Sequence, residues 1–233
     1  PEADTPNNMT VYPVSSETPL PCVVIFQGGG YGGRSYHEGE PIAQFFNCHG
    51  YHAVVVDYRV APNRFPAALS DAQRAIRLVR AHAEEWQIDP QKIITCGFSA
   101  GGHLALAAGV KGENKPNAMI LGYPATCAPN MQGANFMLKL LEGREEVTDE
   151  DAAKYDLVAH VTKDAPPVFI VSTAEDTLNG FCTMPLALKY NQLGLKYELH
   201  VFQHGPHGYS LADVTTADGS SQVMNAAFAQ WHG

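Results

Sequence analysis

Ser99 stands between Gly97 and Gly101 in the run Cys96-Gly97-Phe98-Ser99-Ala100-Gly101-Gly102-His103. Glycine costs backbone entropy in any regular element, so a serine framed by two of them marks a tight turn. A serine hydroxyl attacks only when a base takes its proton and an acid orients that base. The GxSxG spacing suits a strand-to-helix turn that holds the hydroxyl out of the fold, with backbone N–H groups and positive potential from the helix N-terminus. An apolar strand pattern precedes Gly97 and a helical pattern follows Gly101, which is the context such a turn requires.

The partners of that turn follow along the chain in the order serine, acid, histidine. The stretch 172–180, STAEDTLNG, comes after an apolar run, so Asp176 sits where a strand-end acid belongs, with Glu175 as the neighbouring alternative. The stretch 202–211, FQHGPHGYSL, offers His204 and His207; Gly205 and Pro206 shape a loop able to return His207 over the sheet, and His204 reads as structural. Three consecutive glycines, Gly28 to Gly30, follow the strand pattern 22–26 and let the backbone approach an acyl oxygen. Gly29, Gly30 and the N–H of Ala100 are the expected oxyanion donors. Tyr31 and Tyr123 are expected to line the substrate pocket, and Glu38 and Glu40 to be solvated or capping.

These residues need a scaffold. Apolar runs at 22–26, 52–58, 92–97, 118–124, 168–173 and 197–202 alternate with helical patterns at 40–51, 66–86, 100–110 and 185–194. Several runs are apolar throughout, the signature of strands buried on both faces of a parallel sheet. The expectation is an α/β chain: a three-layer α/β/α sandwich, mostly parallel, in one domain over 1–233. Residues 125–166 interrupt the alternation and are expected to form a cap-like insertion, with Thr148 capping one of its helices. MTVYPV (9–14) is a candidate strand before the sheet, and 221–233 a closing helix.

Composition bounds the partners. At 233 residues with 45% hydrophobic and 17% charged content, the chain suits a globular enzyme. A formal charge of −9 without a basic stripe argues against nucleic acid and anionic membranes. No run is long enough to cross a bilayer, and no leader is visible, so the expected setting is cytoplasmic, or secreted if a leader was removed. Five scattered cysteines without CxxC read as reduced thiols rather than a disulfide framework. His200, His204 and His207 mimic a metal-ligand spacing, but on a strand they would lie too far apart, so neither metal nor cofactor is expected.

The motifs together resemble the α/β-hydrolase esterase/lipase family, closest to its small bacterial acetyl-xylan-esterase-like, hormone-sensitive-lipase-like members. The carrying segments are QGGGY (27–31), HEGEPIAQFF (37–46), VVVDYRVAPNRFPAALSDAQRAI (54–76), GFSAGGHLA (97–105), EDTLN (175–179) and HGPHGYSL (204–211). The resemblance implies the α/β-hydrolase fold and a serine esterase acting through Ser99, Asp176 and His207 and an acyl-enzyme. It also implies short acetyl esters of carbohydrates, such as acetylated xylan oligosaccharides, as substrate. A general carboxylesterase or lipase on non-sugar short-chain esters, or a serine peptidase, is the alternative. Small or polar residues in the loops around the site, with Tyr31, Tyr36 and Tyr209 among them, agree with a sugar ester better than with a lipid tunnel. Gln27 departs from the family, many of whose members carry His before the glycines. Arg59 and Asp71 are expected to support the site as structural partners. The expected partner is a small-molecule or oligosaccharide ester, and a homo-oligomer is compatible with the sequence.

Overall fold

The computed structural model describes residues 8–126, 134–213 and 215–216. In chain order the elements are β1 (Met9–Tyr12), β2 (Leu20–Phe26), α1 (Glu40–Cys48), β3 (His52–Val56), α2 (Ala67–Ala81), β4 (Ile88–Phe98), α3 (Ala100–Val110) and β5 (Ala118–Gly122). Then come α4 (Ala134–Glu142), α5 (Asp149–Tyr155), β6 (Val168–Thr173), α6 (Met184–Leu193) and β7 (Tyr197–Phe202). The seven strands form one sheet in the order β1-β3-β2-β4-β5-β6-β7. Only β1 runs antiparallel to its neighbour; every other pairing is parallel.

The unbroken apolar strands have the expected cause. Along β2, Cys22, Val24 and Phe26 face one core with α2, α3 and α6, while Val23 and Ile25 face the other with α1. All five are completely buried. Alternate side chains thus enter different layers, and the sheet is covered on both sides as a three-layer α/β/α sandwich. Helix α2 turns Ala68, Asp71, Ala72, Ala75, Ile76 and Val79 inward, a stripe at helical spacing.

Two boundaries differ from the sequence reading. Helix α2 stops at Ala81 instead of continuing to 86, and β4 begins at Ile88 rather than 92. The reason is pairing: Leu20 of β2 pairs with Ile88, with a register shift before Cys22 meets Ile93, so the edge of β2 recruits residues ahead of the apolar run. Cys182 is disulfide-bonded, which corrects the expectation of reduced thiols throughout; Cys22, Cys48 and Cys96 are free. The helix expected at 221–233 lies outside the described residues.

The chain between β5 and β6 carries α4 and α5 and no strand among its described residues. Thr148 caps α5 in a capping box: its hydroxyl accepts from the Asp151 N–H, and the Asp151 carboxylate accepts from the Thr148 N–H at 2.8 Å. Leu141 and Tyr155 offer carbonyls to Phe65 and His103, tying this segment to the α2 and α3 side of the sheet.

Strand order decides where chemistry can occur. From β2 the chain crosses to β3 on one side, and β4 lies on the other, which opens a crevice at the carboxyl ends of β2 and β4. Phe26 pairs with Gly97 at those ends. The glycine loop and the serine turn, some 70 residues apart in sequence, are neighbours for that reason.

Candidate active site

Ser99 lies between β4 and α3 with φ 53° and ψ −118°, a conformation a β-carbon resists. Such strain costs on the order of 1–3 kcal/mol and needs external restraint. The Ser99 N–H donates to the Gly122 carbonyl at 3.0 Å, and its own carbonyl accepts from His103 and Ala125. The flanking glycines are required by space. A β-carbon on Gly97 would run into the Gly101 carbonyl, and one on Gly101 into the carbonyls of Phe26 and Gln27.

His207 meets both of its expected partners. Nδ1 is 2.8 Å from Asp176 Oδ2, and Nε2 is 2.7 Å from Ser99 Oγ. The carboxylate can only accept, so Nδ1 carries the proton and Nε2 is left free to accept from the serine hydroxyl. Asp176 is buried at the end of β6, and its Oδ1 accepts from the Leu178 N–H at 2.8 Å. Thr173 donates its hydroxyl to the Gly205 carbonyl, fixing the start of the loop that carries His207. Glu175 faces away. It takes His204 Nδ1 at 2.9 Å and the Gly205 N–H at 2.8 Å, bonds that hold its carboxyl below the usual range. Two adjacent acids thus hold two histidines, and only the pair Asp176–His207 reaches Ser99. His200 instead contacts Glu198.

The glycine loop turns sharply. Gly29, Gly30 and Tyr31 all have positive φ, and the Gly29 carbonyl accepts from Gly32 and Gly33. Ala100 opens α3, so its N–H belongs to a first turn that lacks intrahelical acceptors. Gln27, the departure from the family pattern, is buried; its amide donates to the Ser35 carbonyl at 3.3 Å, and its own carbonyl accepts the Tyr58 hydroxyl at 2.6 Å. Arg59 and Asp71 form a bidentate pair, closest at 2.8 Å, which also holds the Arg59 N–H. That is the supporting role expected of them.

Three expectations change. Tyr31 and Tyr123 are buried rather than open to a substrate. The Tyr31 hydroxyl lies 2.8 Å from His103 Nδ1, and His103 Nε2 lies 3.1 Å from the Tyr155 carbonyl. The carbonyl requires an N–H at Nε2, so Nδ1 accepts from Tyr31. Burial lowers the His103 imidazole to about 4, which keeps it neutral. Tyr123 donates to Glu38 and packs against the His207 ring in a T-shaped contact, centroids 5.0 Å apart. Glu38, read as solvated or capping, is 2% exposed. No local pattern announces its burial, because one partner is 85 residues away.

The chain matches two family models: the prolyl oligopeptidase family over residues 67–226, and BD-FAE over residues 9–120. It is 30% identical to endo-1,4-beta-xylanase B of Butyrivibrio fibrisolvens, over 95% of this chain and 39% of the relative. It is 28% identical to an acetylxylan esterase of Xylanibacter ruminicola, over 81% of this chain and 41% of the relative. The chain therefore spans about two fifths of the length of these curated relatives. Among solved structures, it superposes with a TM-score of 0.81 and 34% identity on an acetyl ester-xyloside bifunctional hydrolase from Caldicellulosiruptor lactoaceticus, covering 88% of this chain and 80% of that one.

Proposed function

Because the chain belongs to the prolyl oligopeptidase family within the α/β-hydrolases, we propose that it is a serine esterase that removes acetyl groups from carbohydrate esters. The observation that carries this reading is the unbroken line of short contacts from Asp176 through His207 to Ser99. In this proposal His207 Nε2 takes the Ser99 proton as Oγ attacks the ester carbonyl. Asp176 holds the ring and stabilises the imidazolium. The N–H groups of Gly29, Gly30 and Ala100 receive the oxyanion. The imidazolium then protonates the departing sugar alcohol, and a water activated by His207 releases acetate from the acyl-enzyme.

The carbohydrate half rests on two supports. Two of the relatives are named for acetylxylan or acetyl ester-xyloside hydrolysis. Beside the glycine loop, Gln27, Tyr36, His37, Glu40 and Asp57 also line a cavity of about 420 Å³. Of the three tyrosines expected to suit a sugar, Tyr31 and Tyr209 are buried and Tyr36 is 82% exposed. An open aromatic face near carboxylates suits a pyranose, whose ring C–H bonds stack while its hydroxyls donate. The chain is taken as a single domain over 1–233, with residues 125–166 as a cap-like insertion. No described helix is long and apolar enough to cross a membrane.

The test is a series of p-nitrophenyl esters from acetate to decanoate beside acetylated xylo-oligosaccharides. The proposal expects kcat/KM to fall steeply beyond butyrate and acetate to be released from the sugars. Preference for octanoate or longer, with no acetate released, would reject it in favour of a general carboxylesterase.

A further inference from the structure

Glu38 is a carboxyl group sealed in the protein next to the proposed machinery yet absent from its chemistry. Its Oε2 accepts the Gly28 N–H at 2.7 Å, at the start of the glycine loop. Its Oε1 accepts the Tyr123 hydroxyl at 2.6 Å. The Tyr123 oxygen in turn accepts the Ser210 N–H at 2.7 Å, three residues beyond His207. The contact is close on all sides: a β-carbon on Gly28 would lie 2.6 Å from Oε2 and 3.0 Å from the Ser99 Cβ. One buried carboxyl thus bridges the loop expected to hold the oxyanion and the loop that carries the base.

The hydrogen-bond directions around it suit a carboxylate. The Tyr123 oxygen is occupied by the Ser210 N–H, so the phenolic proton points to Glu38. The backbone of Gly28 can only donate. Both carboxyl oxygens therefore act as acceptors, as a carboxylate does. The titratable groups facing it are His37 from its own turn, Tyr58 after β3, Cys96 on β4, Tyr123 after β5 and His207. Burial holds the carboxyl above its ordinary range; the hydrogen bonds from Tyr123 and Gly28 and the nearby His37 and His207 offset only part of that rise.

We propose that Glu38 is a positioning residue, which as a carboxylate holds the Gly28 loop and, through Tyr123, the His207 loop in one register around Ser99. The proposal rests on the Ser99–His207–Asp176 reading. Glutamine at this position keeps the size but can accept only one of the two donors with its oxygen, and it removes the charge.

The experiment compares Glu38→Gln, Tyr123→Phe and the double variant on p-nitrophenyl acetate, with circular dichroism melts. Labelling of wild-type Ser99 by a phosphonate, located by peptide mass spectrometry, accompanies the kinetics. Each single variant is expected to lose about 10- to 100-fold in kcat with KM little changed, the scale set by small misplacement of reacting groups. The double variant should be no worse than the poorer single, because both cut one chain of contacts. Wild-type kcat in a folded Glu38→Gln would overturn the proposal, as would a loss carried by KM alone or losses that multiply in the double variant. If Glu38→Gln does not fold, wild-type kcat in Tyr123→Phe overturns it. An active wild type whose Ser99 is not labelled would bring down the triad reading itself, and this proposal with it.

Discussion

Glu175 and Asp176 are adjacent in the chain yet serve different histidines: Glu175, exposed, takes His204 at 2.9 Å, and Asp176, buried, takes His207 at 2.8 Å. Neighbouring residues at a strand end point apart, so one faces solvent and the other the interior. Asp176→Asn is expected to lower kcat by about 10⁴, because the imidazole loses its tautomer and its charge partner. Glu175→Gln should cost far less, since it loosens only the attachment of His204 and Gly205. Steady-state kinetics of both variants decides, and a crippled Glu175→Gln beside a mild Asp176→Asn would contradict the assignment.

The buried His103 makes stability depend on pH. Its imidazole protonates near 4 in the folded chain against 6.5 as its ordinary value. Between those values the unfolded chain binds more protons than the folded one, so stability rises with pH. The stabilisation is complete above about pH 6.5 and is lost progressively toward pH 4, by about 3 kcal/mol in all. Urea unfolding of wild type and His103→Gln at pH 7 and pH 4.5 should show a shallower pH dependence in the variant. Equal dependence in both would contradict this role.

Glycine positions separate necessity from convenience. Gly101→Ala would press its methyl against the Phe26 carbonyl, a backbone atom that cannot yield cheaply, whereas a β-carbon on Gly33 meets nothing within 4 Å. Gly101→Ala is expected to lose several kcal/mol or fail to fold. Gly33→Ala should stay within about 0.5 kcal/mol of wild type. Thermal melts of the two proteins test the contrast.

The serine turn was legible because both GxSxG glycines and the strand and helix patterns around them act within ten residues. The sheet was legible because strands buried on both faces lose their alternation. Where partners lie far apart, local pattern fails. Glu38 reads as an ordinary charged residue in a glycine-rich loop until β5 delivers Tyr123 to it. Tyr31 and Tyr123 read as pocket aromatics for the same reason: their hydroxyls are claimed by His103 and Glu38 only in the folded chain. The early start of β4 escaped the apolar pattern because pairing with Leu20, rather than hydrophobicity, defines it.

On the proposed sugar-ester reading, the sugar contact falls to Tyr36. Its ring is exposed beside the cavity that also includes Glu40 and Asp57. Tyr36→Ala should raise KM for acetylated xylo-oligosaccharides by about tenfold, the equivalent of roughly 1.4 kcal/mol. Values for p-nitrophenyl acetate, which has no sugar, should be unchanged. Equal effects on both substrates would remove Tyr36 from sugar recognition.

The central claim is that Ser99 is the nucleophile, and the most direct measurement is the kcat of Ser99→Ala on p-nitrophenyl acetate with its fold checked by circular dichroism. A loss of about four to six orders of magnitude is expected, the scale on which removal of a triad nucleophile acts. A folded Ser99→Ala that retains wild-type turnover would contradict the claim.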